Sequence, residues 1–346
     1  MHIREIQPKV IQVGDKKLGL DVFLIAEIGS NHCQSLSLAK ETIQAAKESG
    51  ADAVKLQSLS LSDLYLNPSN SIVELHKKID LPSDFFVELK DFCDKQGIVF
   101  FSSPTYLESV DFLCSLNVEL FKIASAQSAT FPQLITKVAK TFRPILLSTG
   151  LSTYSEIQAT IKKINEFHKD YVILHCNSLY PTPASLVNLG RMVIYQYMFN
   201  SLVGFSDHTE GYHIAIAAVA MGAKVIEKHF ILDKTLQSPD ASVSLSPEEF
   251  KSMSKSIKDV EVAIAAEPRL YLEADEARFV DEVRYKLVVQ KSKSKGDSLE
   301  PSDFSYKRTK GGIDCSLESL VVDNFVLKSD ISSGTLLEFS MLEGKL

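Results

Sequence analysis

Short apolar runs that end in polar residues, each followed by a stretch with helical spacing, recur eight times between residues 22 and 228. The runs are VFLIAE (22–27), DAVKLQ (52–57), IVFFSS (98–103), LFKIAS (120–125), PILLST (144–149), YVILHC (171–176), LVGFSD (202–207) and AKVIEK (223–228). Between them Leu36, Ala39, Ile43 and Ala46 are spaced for one face of a helix, as are Ile157, Ile161 and Ile164. Phe250, Met253, Ile257, Val260 and Ile264 mark a long closing helix, and Ser246-Pro247-Glu248-Glu249 carries the start signals of one. Eight strand–helix units over residues 21–266 predict an α/β fold, a (β/α)8 TIM barrel. The competing arrangement is an open doubly wound sheet. That fold usually has fewer strands, and its glycine-rich dinucleotide fingerprint is absent here.

The flanks have a different texture. Residues 1–20 read as a polar leader, with a hairpin turn at Gly14-Asp15. Residues 267–279 are an acidic, helix-prone linker, and residues 280–346 form a small β-rich domain of short strands and turns, such as YKLVVQKS (285–292) and SDFSYKR (302–308). Two segments, KSKSKGDSLEPSDFSYKR and LKSDISSGTLLEFSMLE, read as two copies of one unit: a basic strand, a glycine turn, an apolar residue and a short helical turn. A domain this small is near the lower limit for independent stability and is expected to lean on the barrel or on a partner chain.

Composition narrows the class. A hydrophobic fraction of 45% and a charged fraction of 23% are those of a soluble globular protein. The net charge of -7 argues against a general nucleic-acid binder. No apolar run reaches the roughly 18 residues that span a bilayer, and no signal-peptide core is present, so a cytoplasmic protein is expected. The cysteines (Cys33, Cys93, Cys114, Cys176, Cys315) are odd in number and form no C-x-x-C pair, which reads as reduced thiols.

Candidate chemistry gathers where the strands end. Parallel strands joined by a helix bring their C-terminal ends to the same side of the sheet, so His208 and His229 should sit side by side. Such a pair can hold a divalent metal and leave coordination positions open; the competing reading is two ordinary half-buried polar residues. Glu27, Lys55, Gln57, Ser103, Lys122, Ser125, Ser148, His175, Asn177 and Ser206 also fall at or just beyond strand ends, the face that carries active sites in this barrel. Lys55 and Lys122 are flanked by buried-type residues and need a counter-charge. A bound anion is the expected partner, an internal salt bridge to Glu27 or Glu227 the alternative.

The stretches AEIGSNH (26–32), DAVKLQ (52–57), FSSP (101–104), FKIAS (121–125), ILLSTG (145–150), LHCNSLYPTP (174–183), GFSDHT (204–209), EKHFILDK (227–234) and YKRTKGGI (306–313) together resemble the sialic acid synthase family, the N-acetylneuraminate, legionaminate and pseudaminate synthases. The resemblance covers nearly the whole chain and implies a barrel followed by an antifreeze-like (SAF) domain. It implies condensation of phosphoenolpyruvate with an N-acetylated hexosamine. Its metal site, manganese or magnesium, falls on His208 and His229. Lys55, Lys122, Ser103, Ser125, Ser148 and Ser206 match the phosphoenolpyruvate pocket, and Glu27 the glutamate that acts on water. Gln57, Gln127, Tyr180 and Asp240 match sugar-contacting positions. Arg308 matches an arginine that the small domain of one subunit inserts into the other's barrel, which implies a homodimer. The family often has glutamate where this chain has Gln127, asparagine at Ser178 and histidine at Ala241, departures that bear on which sugar is used. Two alternatives stand beside this reading. One is a related barrel aldolase or synthase acting on another, phosphorylated sugar, with Lys122 as a Schiff-base nucleophile. The other is a catalytically silent carbohydrate-binding homologue.

Overall fold

The structure is a computed structural model that describes residues 9–266 and 268–345; the first eight positions of the expected leader lie outside the described residues. The chain divides into two compact units, Met1–Ala266 and Glu267–Leu346.

The first unit opens with an antiparallel hairpin, β1 (Ile11–Val13) and β2 (Lys16–Leu18), turning at Gly14, whose φ of 53° is one that glycine adopts at no steric cost. Eight strands follow: β3 (Phe23–Glu27), β4 (Ala53–Ser58), β5 (Val99–Pro104), β6 (Phe121–Ile123), β7 (Ile145–Ser148), β8 (Tyr171–Cys176), β9 (Leu202–Asp207) and β10 (Val225–His229). They form one sheet in the order β5-β4-β3-β10-β9-β8-β7-β6, and every ladder in it is parallel. The first and last of them, β3 and β10, are hydrogen-bonded neighbours in the register His229 to Glu27, so the sheet wraps round on itself. The seam falls between β5 and β6. The result is a nearly closed (β/α)8 barrel.

Side-chain period decides what fills it. Alternate residues of a strand point to opposite faces. Phe23, Ile25, Ala53, Phe101, Leu120, Leu146, Val172, Leu174 and Val225 form one buried cluster together with Ile11, Val13 and Leu18 of the hairpin. The hairpin therefore stoppers the end of the barrel where the strands begin. The intervening residues, among them Leu24, Ala26, Val54, Leu56, Phe100, Ile173, Phe205 and Ile226, pack outward against the helices. Burying a side chain such as Leu18, which is wholly enclosed, is worth about 1.5–3 kcal/mol.

The closing helix, Pro247–Ala265, starts as its sequence predicts. Ser246 Oγ accepts from the Glu249 amide at 3.3 Å while the Glu249 carboxylate accepts from the Ser246 amide at 2.8 Å, a reciprocal cap. Its buried face is Phe250, Met253 and Ile257.

The second unit contains β11 (Tyr285–Val289), β12 (Phe304–Arg308), β13 (Phe325–Leu327) and β14 (Leu342–Gly344), paired β11 with β12 and β13 with β14. The two similar sequence segments adopt similar backbones. Gly296 and Gly334 turn at φ of 85° and 84°, Leu299 and Leu337 are buried, and short 3-10 turns at Pro301–Asp303 and Phe339–Met341 lead into β12 and β14. The stretch 329–342 is mainly turns, and β13 lies just before it.

Candidate active site

At the open end of the barrel the strand termini enclose a cavity of about 300 Å³, lined by Lys55, Gln57, Ser103, Lys122, Ser125, Gln127, Ser148, Cys176, Ser178, Tyr180, Ser206, His208, Glu227 and His229 together with Leu59, Leu64, Thr105, Ala124, Ala126 and Leu151. Nearly all of the polar set comes from the last inward-facing position of a strand or the loop just after it. Ser206 and His208 share a face at i and i+2, as do Glu227 and His229, so each histidine stands one pleat above a polar residue.

The two imidazoles meet. Their ring centroids are 5.5 Å apart. His208 Nδ1 is 2.7 Å from the Asn177 carbonyl oxygen, which fixes Nδ1 as the protonated nitrogen and leaves Nε2 for a ligand. His229 Nδ1 is buried without a hydrogen-bond partner among the described residues, with the Asp240 carboxylate 3.8 Å away. Burial pulls His229 down to about 3, against the Asp240 charge, so its ring is neutral at ordinary pH. The Tyr180 ring stacks on His208 at 4.0 Å and meets His229 edge-on at 5.9 Å. His208 is shifted the other way: burial is outweighed by its contacts with Cys176 and the Asn177 carbonyl, which raise it. Two adjacent imidazoles with an unsatisfied buried nitrogen are a donor set that suits a first-row divalent ion, with further positions left to water and substrate. No cluster of three or more His, Cys, Asp or Glu side chains arranged for a metal occurs among the described residues, so the protein's share would be these two nitrogens.

Below the histidines lies a chain of four buried charges. Lys55 Nζ is 2.6 Å from Glu27 and 3.4 Å from Glu227, and Lys122 Nζ donates to both Glu227 oxygens at 2.7 and 2.9 Å. Ser206 Oγ also donates to Glu227, at 2.9 Å. The expectation that the two lysines draw their counter-charge from a bound anion is thus corrected: both ammonium groups are neutralised by the barrel's own carboxylates. The reason is topological. Glu227 on β10 reaches across the barrel interior to lysines on β4 and β6, a proximity that strand spacing along the chain does not reveal.

The four groups do not titrate alike. Burial raises Glu27, and Lys55 offsets only part of that effect because Glu227 adds to it. Burial acts on Glu227 in the same direction, but Lys122 and Lys55 together overcome it and hold the carboxylate well below its usual range. Lys55 is held above the ordinary lysine range, since its two carboxylates outweigh burial, whereas in Lys122 burial prevails and the ammonium is lowered. With two of each sign, the set is neutral. Around it Ser148 Oγ and Gln127 Oε1 are buried with no hydrogen-bond partner among the described residues, while Ser125 Oγ accepts from the Gly150 amide at 3.1 Å and Ser103 Oγ is 3.4 Å from Lys55 Nζ. Unsatisfied buried polar atoms beside an open cavity are what a bound polar ligand would satisfy.

Glu27 and Asn177 do not line the cavity: Glu27 lies beneath it, bonded to Lys55, and the Asn177 side-chain amide donates to the Leu186 carbonyl at 3.0 Å. Three further residues singled out in the sequence are not in its lining. His175 does not face the cavity: its parity matches Ile173, and its ring lies in the helical jacket, stacked on Phe205 with Nε2 bonded to the Val187 carbonyl at 2.6 Å. Asp240 lies behind the cavity wall, where its carboxylate accepts from the amide and hydroxyl of Ser30 at 3.0 and 2.7 Å and faces His229. Arg308 belongs to the second unit; it ends β12, is exposed, and its guanidinium lies over the Tyr285 ring at 5.1 Å. Of the cysteines, Cys176 lines the cavity with Sγ 3.8 Å from His208 Nδ1, and Cys33 is exposed. Among the described residues no helix is long and apolar enough to cross a membrane.

Comparison with known proteins gives a consistent result. The NeuB family model matches residues 42–268. The chain is 36% identical over 306 residues to N,N'-diacetyllegionaminic acid synthase of Campylobacter jejuni, a match covering 84% of this chain and 91% of the relative. It is 37% identical over 307 residues to pseudaminic acid synthase of Helicobacter pylori, covering 84% and 89%. The crystal structure of N-acetylneuraminic acid (sialic acid) synthetase from Leptospira borgpetersenii superposes with a TM-score of 0.74 at 30% identity, over 79% of this chain and 95% of that one.

Proposed function

The chain belongs to the NeuB family, and on that premise we propose that its barrel condenses phosphoenolpyruvate with an N-acetylated hexosamine and water, releasing phosphate and a nine-carbon α-keto acid. The observation that carries this reading is the single cavity in which two imidazoles, 5.5 Å apart, stand above two buried ammonium groups. An anionic three-carbon ligand fits the lower level, against Lys55, Lys122 and the hydroxyls of Ser103, Ser125, Ser148 and Ser206. The sugar fits the upper level, where Gln57, Gln127 and Tyr180 supply hydroxyl and amide partners, with its aldehyde end at His208 and His229. A divalent metal, manganese or magnesium, held there by the two histidines would supply Lewis-acid polarisation of the aldehyde oxygen.

The residues' own work is positioning and charge. The methylene carbon of phosphoenolpyruvate forms a bond to the aldehyde carbon. Water then adds to carbon 2, and the carbon–oxygen bond to phosphate breaks. Glu27, its carboxyl raised by burial, is the acceptor for the proton that this water gives up. Lys55 and Lys122 stabilise the departing phosphate, and exclusion of solvent from the floor strengthens both interactions. A Schiff-base role for Lys122 is disfavoured by its two contacts with Glu227, at 2.7 and 2.9 Å, which engage the amine on the floor of the cavity. We assign the second unit to the antifreeze-like (SAF) class. Its Arg308 would close the barrel of the partner in a homodimer, and the enzyme would work in the cytoplasm.

The test is phosphate release from phosphoenolpyruvate with each of N-acetylmannosamine, its 6-phosphate and 2,4-diacetamido-trideoxyhexoses, with the keto acid identified by NMR. Release that needs both substrates and is lost on chelation and regained with Mn2+ is the expected result. Trapping of an imine by borohydride, or phosphate release without sugar, would sink the reading.

A further inference from the structure

Behind the histidine pair, on the jacket side of the same two strands, lies a second ion pair that the proposed chemistry does not use. Asp207 ends β9 and Lys228 is the penultimate residue of β10; they are register partners, and both side chains are wholly buried. Lys228 Nζ is 3.1 Å from Asp207 Oδ2 and also donates to the Thr209 carbonyl. Asp207 Oδ1 in turn accepts from the Thr209 amide at 2.8 Å. These contacts form a closed loop around residue 208 and cross to the residue just before His229.

A buried ion pair is a poor way to gain stability. Taking both charges out of water costs several kcal/mol, and apolar replacement of such pairs is often neutral or better. What this pair does supply is geometry. It fixes the backbone of 207–209 on one side and the strand position of residue 228 on the other, each one residue from an imidazole. Successive residues point to opposite faces, so an arrangement locked in the jacket is transmitted to the cavity with opposite sense.

We propose that Asp207 and Lys228 are positioning residues that set the separation and tilt of His208 and His229. They act from behind the sheet as an outer shell for a metal ion bound in front of it. This rests on the reading of the two histidines as a metal site. Outer-shell partners of metal ligands typically contribute 10- to 100-fold in affinity.

The test uses the full-length protein and Mn2+ itself. The double variant Asp207→Leu/Lys228→Met removes both charges together and leaves no unpaired one, so the fold should persist, as circular dichroism and the melting midpoint would report. Its Mn2+ dissociation constant, by calorimetry without substrates, should rise about 10- to 100-fold. The sugar KM and kcat should worsen, and the phosphoenolpyruvate KM should change less than twofold. A second double variant, Asp207→Asn/Lys228→Met, keeps an acceptor for the Thr209 amide and also leaves no charge unpaired; it should fall between the parent and the first double variant and serves as the second measurement if that one does not fold. Variants that fold and bind Mn2+ within twofold of the parent would overturn the positioning role alone. A parent protein that binds no Mn2+, or binds it equally after His208→Ala, would overturn the metal reading and this inference with it.

Discussion

The carboxylate of Glu227 lies 2.7 Å from the Lys122 ammonium, with both side chains sealed from solvent, and the same carboxylate is 3.4 Å from Lys55. One acidic group thus holds two cations at the floor of the cavity. Glu227→Gln should leave an uncompensated buried charge and destabilise the protein by about 3–5 kcal/mol, read from urea unfolding. The same variant should raise the phosphoenolpyruvate KM. A loss of less than 1 kcal/mol would show that the charges rearrange.

Replacing either imidazole tests the upper level. His208→Ala or His229→Ala should lower phosphate release by about 100-fold or more, the scale on which removal of one electrostatic group acts. The unfolding midpoint should stay near that of the parent, since both rings border open space. Normal turnover in either variant would refute the assignment.

Leu18 has no part in the chemistry, yet it is wholly buried in the stopper of the barrel. Leu18→Ala should cost about 2–5 kcal/mol in equilibrium unfolding. Below the unfolding transition both KM values should be unchanged.

Acid should loosen the fold through His32. Burial pulls this histidine down to about 4, against the opposing charge of Asp240. The unfolded chain takes up the proton near pH 6.5, before the folded one does, so the stability linked to His32 is complete above about pH 6.5 and is lost as pH falls toward 4. The slope approaches about 1.4 kcal/mol per pH unit within that window. Urea midpoints measured from pH 8 to 4 should fall accordingly, and His32→Asn should flatten this limb.

Arg308 offers a test by complementation. Arg308→Ala should lower turnover and sugar affinity more than phosphoenolpyruvate affinity. Mixing Arg308→Ala subunits with His229→Ala subunits should restore part of the activity if the arginine acts in trans. An inactive mixture would confine it to its own chain.

Much of this was legible because strands have a period of two. Eight apolar runs ending in polar residues specify both the barrel and the end at which its chemistry gathers, and His208 and His229 come together as parallel strands require. The same rule, carried one step further, places His175 with Ile173 and away from Cys176, which lines the cavity. Counting parity would have removed it from the mouth. The ion pairing was not legible. Which carboxylate serves which lysine depends on side-chain reach across the barrel between strands distant in the chain, and no local spacing encodes that. Strand β13, three residues long, is too short for alternation to register.

Because Ile11, Val13 and Leu18 stopper the far end of the barrel, the cavity is a cul-de-sac. A ligand that occupies the lysine floor must arrive before one that occupies the histidine level above it, and can depart only after that one has gone. On the proposed reading, the order of encounter with the two reactants would follow from a closed end to which an eight-residue ribbon, Ile11–Leu18, contributes without lining the cavity.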